Sequence, residues 1–318
     1  RGGLAVGGGV VGVGAMNRLH GGPDAQGVPA VDFSTNANAC GPCPSALRAV
    51  QGADAGRYPD PAHTALRASL AAFHAVDGAR IVIAASASEF IHRFTAWVAR
   101  QGGQRVWLPA QAYGEYAHAA HAWRLTPTPD PAQAQLAWLC EPSSPRGLAE
   151  PQAVQVIDTC ATVVLDRAYE PLRLSGACSL TPAALHRVWQ LWSPNKALGL
   201  TGVRGAYAIA PLRATDQARA LDGLAPSWPL GAHGVALLQA WVTPDAQHWL
   251  AQSLPTLRAW KQQQVALLTA SGWAVLPGDA NYLCAAPPRP LDVSALRAAG
   301  IKLRDTASMG LPGHWRLG

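Results

Sequence analysis

The chain has 318 residues, 49% of them hydrophobic and 14% charged, which is enough apolar material for the core of one large or two ordinary domains. Its net charge of +6 comes from 22 arginines and three lysines against 19 acids, yet the basic residues are scattered and form no run or aromatic-interleaved stripe of the kind that grips nucleic acid. No apolar stretch reaches the roughly 18 to 20 residues of a membrane helix, and six cysteines are too sparse for a disulfide framework at this length, so a soluble protein of the reducing cytoplasm is expected.

Residues 1–15, rich in Gly, Val and Ala with a single charge, read as a segment upstream of a natural start at Met16; a signal peptide is the lesser reading. Within them Gly7-Gly8-Gly9-Val10-Val11-Gly12 spells a dinucleotide fingerprint, but the segment precedes the expected start of the domain. Cys40-Gly41-Pro42-Cys43 spells the dithiol of redox proteins, where a strand leads directly into the motif; here the polar, turn-forming Ser34–Ala39 precedes it. No second cysteine pair stands ready to complete a zinc site, and no metal is expected.

From Ala79 to Ala210 short apolar runs alternate with amphipathic stretches. The runs are Arg80–Ala84, Arg105–Leu108, Leu136–Cys140, Val163–Leu165, Val188–Trp192 and Ala206–Ala210, and Glu89–Val98 is the clearest helical stretch between them. This alternation predicts an α/β domain around a mostly parallel sheet, with ligands bound beyond the carboxyl ends of its strands. Ser86, Tyr113, Ser144, Asp166 and Lys196 each fall just after one of these runs.

Lys196 stands out. It is one of only three lysines, follows the run ending at Trp192, and precedes Arg204 by eight residues with glycines between. A lysine that is desolvated at a strand end, or set beside another cation, exists partly as the neutral amine that attacks carbonyls. The plain alternative is a solvated loop lysine.

After about Gly231 the pattern turns to helices over Val235–Val242 and Asp245–Ser271, the second broken or kinked at Pro255. A turn at Pro277-Gly278 and short strands over Tyr282–Cys284 and Ile301–Leu303 follow. The expected division is a large domain over 51–230 and a smaller α+β domain built from 16–50 and 231–318.

Taken in order, these motifs resemble the fold-type I enzymes that use pyridoxal 5′-phosphate, the class I and II aminotransferases and their decarboxylase relatives, over nearly everything from Leu19 onward. The resemblance implies a mostly parallel seven-stranded sheet and a homodimer with shared active sites. It makes Lys196 the lysine to which the cofactor attaches, with Ser193 and Arg204 on the cofactor phosphate. Asp166 and Tyr169 match the family's Asp-x-x-Tyr, the aspartate keeping the pyridine nitrogen protonated and the tyrosine bonding the phenolic oxygen. Ser86, Ala87 and Ser88 open a helix and are implied as a phosphate cradle; Tyr113 is implied as the ring that stacks on the pyridine. Tyr58, in Arg57-Tyr58-Pro59-Asp60-Pro61, matches the tyrosine that reaches the cofactor phosphate of the neighbouring subunit. Arg316, in the closing segment, matches the arginine that clamps the substrate carboxylate. One position departs from the pattern: in Glu141-Pro142-Ser143-Ser144-Pro145-Arg146-Gly147, Ser144 replaces the asparagine that bonds the cofactor's phenolic oxygen.

The opening His20-Gly21-Gly22, followed by Asp32-Phe33-Ser34-Thr35-Asn36-Ala37-Asn38, is similar to L-threonine-O-3-phosphate decarboxylases of cobalamin biosynthesis. That resemblance implies a lyase making 1-aminopropan-2-yl phosphate, with His20, Asn38 and Arg304 contacting the substrate's phosphate or carboxylate. An aminotransferase on a phosphorylated amino compound, such as histidinol phosphate, is the alternative, and a degenerate cofactor-binding paralogue the third reading.

Overall fold

The structure is a computed structural model and describes residues 20–318. The expectations for residues 1–15, the glycine fingerprint included, lie outside the described residues.

The chain enters through β1 (Val31–Asp32), α1 (Pro44–Gln51) and α2 (Thr64–His74) before the first long apolar run becomes β2 (Ile81–Ala84). Helix and strand then alternate: α3 (Ala87–Arg100), β3 (Arg105–Trp107), α4 (Gly114–Ala122), β4 (Thr126–Pro127), β5 (Leu136–Cys140), α5 (Ala153–Thr159), β6 (Val163–Asp166), α6 (Pro182–Leu185), β7 (Trp189–Trp192), β8 (Ala206–Ile209) and α7 (Thr215–Asp222). The strands assemble into a seven-stranded sheet in the order β2-β8-β7-β6-β5-β3-β4, in which only β8 runs against its neighbours.

Strands β2, β5, β6, β7 and β8 are buried along their whole length, which is why they read as continuous apolar runs rather than alternating ones. Successive residues still face opposite sides. Val82 and Ala84 join Phe90 and Phe94 of α3 in one core, while Ile81 and Ile83 join Leu66 and Leu70 of α2 in the other. Each of the larger side chains among these, the valine, isoleucines, leucines and phenylalanines, contributes about 1.5–3 kcal/mol by leaving water. Pro127 sits on the outermost strand, where its missing N–H interrupts no ladder. Because β2, β3, β5, β6 and β7 are parallel, the loops after all five gather at one sheet edge.

The remainder consists of α8 (Ala232–Trp241), α9 (Pro244–Ala270), β9 (Ala274–Leu276), β10 (Leu283–Ala286), α10 (Val293–Ala298), β11 (Ile301–Lys302), β12 (Arg304–Asp305) and β13 (Trp315–Leu317). Antiparallel β12-β13-β10-β9 form a second sheet, and β1 pairs in parallel with β11, tying the N-terminal segment to this part of the chain. Two local expectations are corrected. Helix α9 continues through Pro255, so the alternative of a break there is set aside; the proline and Ala251, whose carbonyl it leaves unpaired, both lie on the exposed side. The strand expected over Ile301–Leu303 divides at Leu303, as pairing passes from β1 to β13. Among the described residues no helix is long and apolar enough to cross a membrane, and all six cysteines are free.

Candidate active site

A cavity of about 660 Å³ opens at the carboxyl edge of the large sheet. A larger hollow of about 910 Å³ lies beside α2 and Trp228 but holds none of the residues singled out from the sequence. The smaller one is the candidate site, because it collects the ends of five strands.

After β2, Ser86 caps α3: its Oγ accepts from the Glu89 N–H at 3.1 Å, and the Glu89 carboxylate accepts from the Ala85 N–H at 3.1 Å. This reciprocal box fixes the helix entry. Ser86, Ala87 and Ser88 line the cavity, so the positive end of the helix dipole faces it and favours an anion.

After β6, Asp166 is buried. Its Oδ2 accepts from the Tyr116 hydroxyl at 2.8 Å and its Oδ1 from the Ala168 N–H at 2.9 Å. Burial raises the Asp166 pKa, opposed by these two bonds and the charge of Lys196. Burial and the adjacent carboxylate hold the Tyr116 phenol well above its ordinary range.

After β7, Lys196 places its Nζ 5.4 Å from the centre of the Tyr169 ring, and the Ser193 hydroxyl is buried without a partner. The lysine loop is clamped from below. The Asn38 N–H donates to the Lys196 carbonyl at 2.9 Å and the Cys43 N–H to the Leu198 carbonyl at 2.8 Å. Gly199, at φ 66°, passes so near Gly41 that a Cβ would lie 2.5 Å from its carbonyl oxygen, and only glycine fits there. The Cys40-Gly-Pro-Cys43 segment thus serves as the floor of this loop. Burial pushes the Cys40 thiol up, the opposite of what a thiolate nucleophile needs.

The second sheet supplies two arginines. Arg304 and Arg316 face each other in register on β12 and β13, each 7% exposed, and neither forms an ion pair with a carboxylate among the described residues. Arg316 donates from Nη1 to Ser144 Oγ at 2.7 Å and from Nη2 to the Ser34 carbonyl at 3.4 Å, and its Nε is buried without a partner. Burial and the neighbouring Arg316 push the Arg304 pKa down.

Most residues expected from the sequence meet here: His20, Ser86, Ala87, Ser88, Tyr113, Ser144, Asp166, Tyr169, Ser193, Lys196, Arg204, Arg304 and Arg316 all line the cavity. Two do not. Asn38 is buried beneath the lysine loop, its amide donating to Ser253 Oγ at 2.8 Å and the Ala197 carbonyl at 3.2 Å, so it builds scaffold where a substrate contact was expected. Tyr58 lies outside the cavity, 79% exposed and stacked on Trp228 with centroids 4.5 Å apart. Ser144 is present but engaged with Arg316 and with Met309 Sδ at 3.6 Å. The sequence reading missed Tyr116, three residues beyond Tyr113, and Asn36, two before Asn38; each stands close to a residue that was named, but nothing in the spelling shows which polar residue turns inward.

The family model described as Aminotransferase class I and II matches residues 28–138 and 128–318. The chain belongs to this family. Histidinol-phosphate aminotransferase 2 of Burkholderia mallei is 26% identical over 299 residues, covering 86% of this chain and 82% of that protein. Histidinol-phosphate aminotransferase 1 of Thiobacillus denitrificans is 26% identical over 322 residues, covering 90% and 80%. Among solved structures, histidinol-phosphate aminotransferase from Sinorhizobium meliloti in complex with pyridoxal 5′-phosphate has a TM-score of 0.77 at 22% identity, covering 92% of this chain and 87% of that one. The L-threonine-O-3-phosphate decarboxylase from Porphyromonas gingivalis has a TM-score of 0.74 at 20% identity, covering 90% and 93%. These structures share the fold-type I architecture.

Membership in the aminotransferase family makes pyridoxal 5′-phosphate the cofactor, and the donor set suits it. A helix N-terminus with an unpartnered buried serine nearby suits a phosphate, a buried carboxylate suits a pyridinium, and a lysine stands beside an aromatic ring.

Proposed function

We propose that the chain is a pyridoxal-phosphate-dependent lyase that decarboxylates a phosphorylated amino acid, L-threonine O-3-phosphate, to (R)-1-aminopropan-2-yl phosphate, as in cobalamin biosynthesis. The observation that carries this reading is the pair Arg304 and Arg316: two buried guanidinium groups, side by side at the cavity, without a carboxylate partner among the described residues. Burying cations unpaired is costly, and a substrate with a carboxylate and a phosphate supplies both counter-charges.

In this reading Ser86, Ala87, Ser88, Ser193 and Arg204 hold the cofactor phosphate, Tyr113 stacks on its ring, Asp166 holds the ring nitrogen's proton, and Tyr169 bonds its phenolic oxygen. When bound, the cofactor supplies an electron-accepting ring that takes up the pair left as a bond to the substrate Cα breaks. Arg316 clamps the carboxylate through paired N–H groups and sets the angle of the Cα–COO⁻ bond. Arg304 and His20 receive the substrate phosphate. Lys196 anchors the cofactor and, once CO₂ has left, returns a proton to Cα. Tyr58 serves the site of a second copy, in a homodimer.

The second reading, an aminotransferase, is favoured by the names of the curated relatives. Incubation with threonine phosphate, with and without 2-oxoglutarate, separates them. Release of CO₂ and aminopropanol phosphate without the oxo acid is expected; glutamate formed only when it is present would replace the lyase reading.

A further inference from the structure

Family members place an asparagine against the cofactor's phenolic oxygen where this chain has Ser144, and here Ser144 has little to give. Its oxygen accepts from Arg316 Nη1 at 2.7 Å, and its single proton, the only one it could offer a phenolic oxygen, is directed at Met309 Sδ. Another asparagine stands beside Tyr169, the tyrosine assigned to that same phenolic oxygen. Asn36 lines the cavity, is 2% exposed, and its Nδ2 donates to the Tyr169 hydroxyl at 3.2 Å.

Asn36 is held firmly in place. The Phe33 N–H donates to the Lys302 carbonyl at 2.9 Å and the Asn38 N–H to the Lys196 carbonyl at 2.9 Å, while Asn281 Nδ2 reaches the carbonyls of Asn36 and Ala37. Its side chain, by contrast, is poorly used for stability. Oδ1 is buried without a partner, so an apolar residue would serve packing better. A buried amide that spends only its donor end, on a hydroxyl at the site, is placed to control that hydroxyl.

We propose that Asn36 is a positioning residue that orients the Tyr169 hydroxyl, so that the tyrosine's own proton is left for the cofactor's phenolic oxygen. A phenol that accepts from Nδ2 has its proton free for another acceptor. Ser144, engaged by Arg316, is thereby relieved of the task its position suggests. The inference rests on the cofactor and not on which substrate is turned over.

The test reads the pH midpoint of the bound cofactor's visible absorbance, with no substrate present. An oxygen that loses a donor holds its negative charge less well, and its surroundings bind a proton more tightly. Asn36→Ala should therefore raise the midpoint by about half to one pH unit, the size of one hydrogen bond. Tyr169→Phe should raise it at least as far, and the double variant should match Tyr169→Phe alone, because one residue acts through the other. If alanine does not fold, as judged by circular dichroism, Asn36→Asp keeps the shape and supplies only acceptors. It draws the tyrosine proton to itself, and the midpoint should rise more with Tyr169 present than with phenylalanine there. An unmoved midpoint in Asn36→Ala, additive shifts in the double variant, or equal rises for Asn36→Asp in both backgrounds overturns the proposal. A wild-type chain with no visible band removes the cofactor assignment and this inference together, whereas glutamate formation in the assay above leaves it standing.

Discussion

Asp166 shows how far a single residue can work against its own fold. Its carboxylate lies buried at the end of β6, and burial raises its pKa despite the bonds from Tyr116 and Ala168. A raised carboxyl pKa means that the folded chain binds the proton more tightly than the unfolded one. Its contribution to stability is therefore full below the ordinary carboxylate value of 3.8 and is lost as pH rises through the raised folded value. Asp166→Asn keeps the shape and both bonds, since the Tyr116 hydroxyl can turn to accept. Cofactor-free Asp166→Asn should thus melt a few degrees higher than wild type at pH 7, of the order expected for about 1 kcal/mol, and the gain should shrink toward pH 4. The same variant, supplied with cofactor, should lose turnover, because an amide cannot hold the ring nitrogen's proton. Equal melting temperatures at pH 7 would remove the argument. This residue was legible in the sequence because its spacing from Tyr169 and Lys196 is local. Tyr116, which bonds it across 50 residues, was not.

Among the elements, the loop that carries His20, Gly21 and Gly22 over the cavity is attached by a cluster of charged side chains. Asp24 accepts from Arg297 Nε at 3.0 Å and Nη2 at 2.7 Å and pairs with Lys302 Nζ at 3.1 Å, while Lys302 also donates to the Gly22 carbonyl at 2.5 Å. These two cations hold the Asp24 carboxyl well below the usual carboxylate range. A depressed pKa gives an attachment present above the ordinary carboxylate value and lost only as pH falls through the lowered one, so near neutrality it does not titrate. Asp24→Asn should loosen the loop at every pH from 6 to 8, raising substrate KM roughly two- to fivefold, as expected for a partly exposed ion-pair cluster, with kcat little changed and faster proteolytic cutting in residues 20–27. An unaltered KM would show that the loop does not cover the substrate. Nothing in the sequence spells this attachment: Asp24 and Arg297 lie 273 residues apart, and β1 and β11, which bring them together, are only two residues each. Six strands of the large sheet were legible because burial leaves them as apolar runs, whereas β4, two exposed residues at the sheet's edge, carries no such signal. The short strands of the second sheet are only partly buried and blur into one another, which is why Ile301–Leu303 read as one.

At the scale of the whole molecule, parallel strands of one sheet must all end on the same side, so the order of motifs already implied that Ser86, Tyr113, Ser144, Asp166 and Lys196 would meet. The closing segment's resemblance also brought Arg304 and Arg316 to the site; what the sequence could not show is the arrival of Asn36 beside Tyr169, because that depends on how the N-terminal segment docks against the lysine loop and the second sheet. Tyr58 carries this logic beyond one chain. It matches a family motif for the cofactor phosphate, yet it lies outside its own cavity, 79% exposed on the face of Trp228. A large aromatic residue left in solvent at such a motif points to a neighbour's site. In the proposed homodimer each site takes Lys196 from one copy and Tyr58 from the other. Tyr58→Ala should weaken cofactor affinity by about 10- to 100-fold, the loss of one hydrogen bond to a charged group, and Lys196→Ala should be inactive. Mixed and allowed to exchange subunits at limiting cofactor, the two defective proteins should recover activity in roughly a quarter of their sites, since random pairing in a twofold dimer makes half the molecules hybrid and each hybrid holds one intact site. Activity no greater than the average of the two variants, or a solution mass of a single chain by light scattering, would place Tyr58 in a local packing role and remove the shared site.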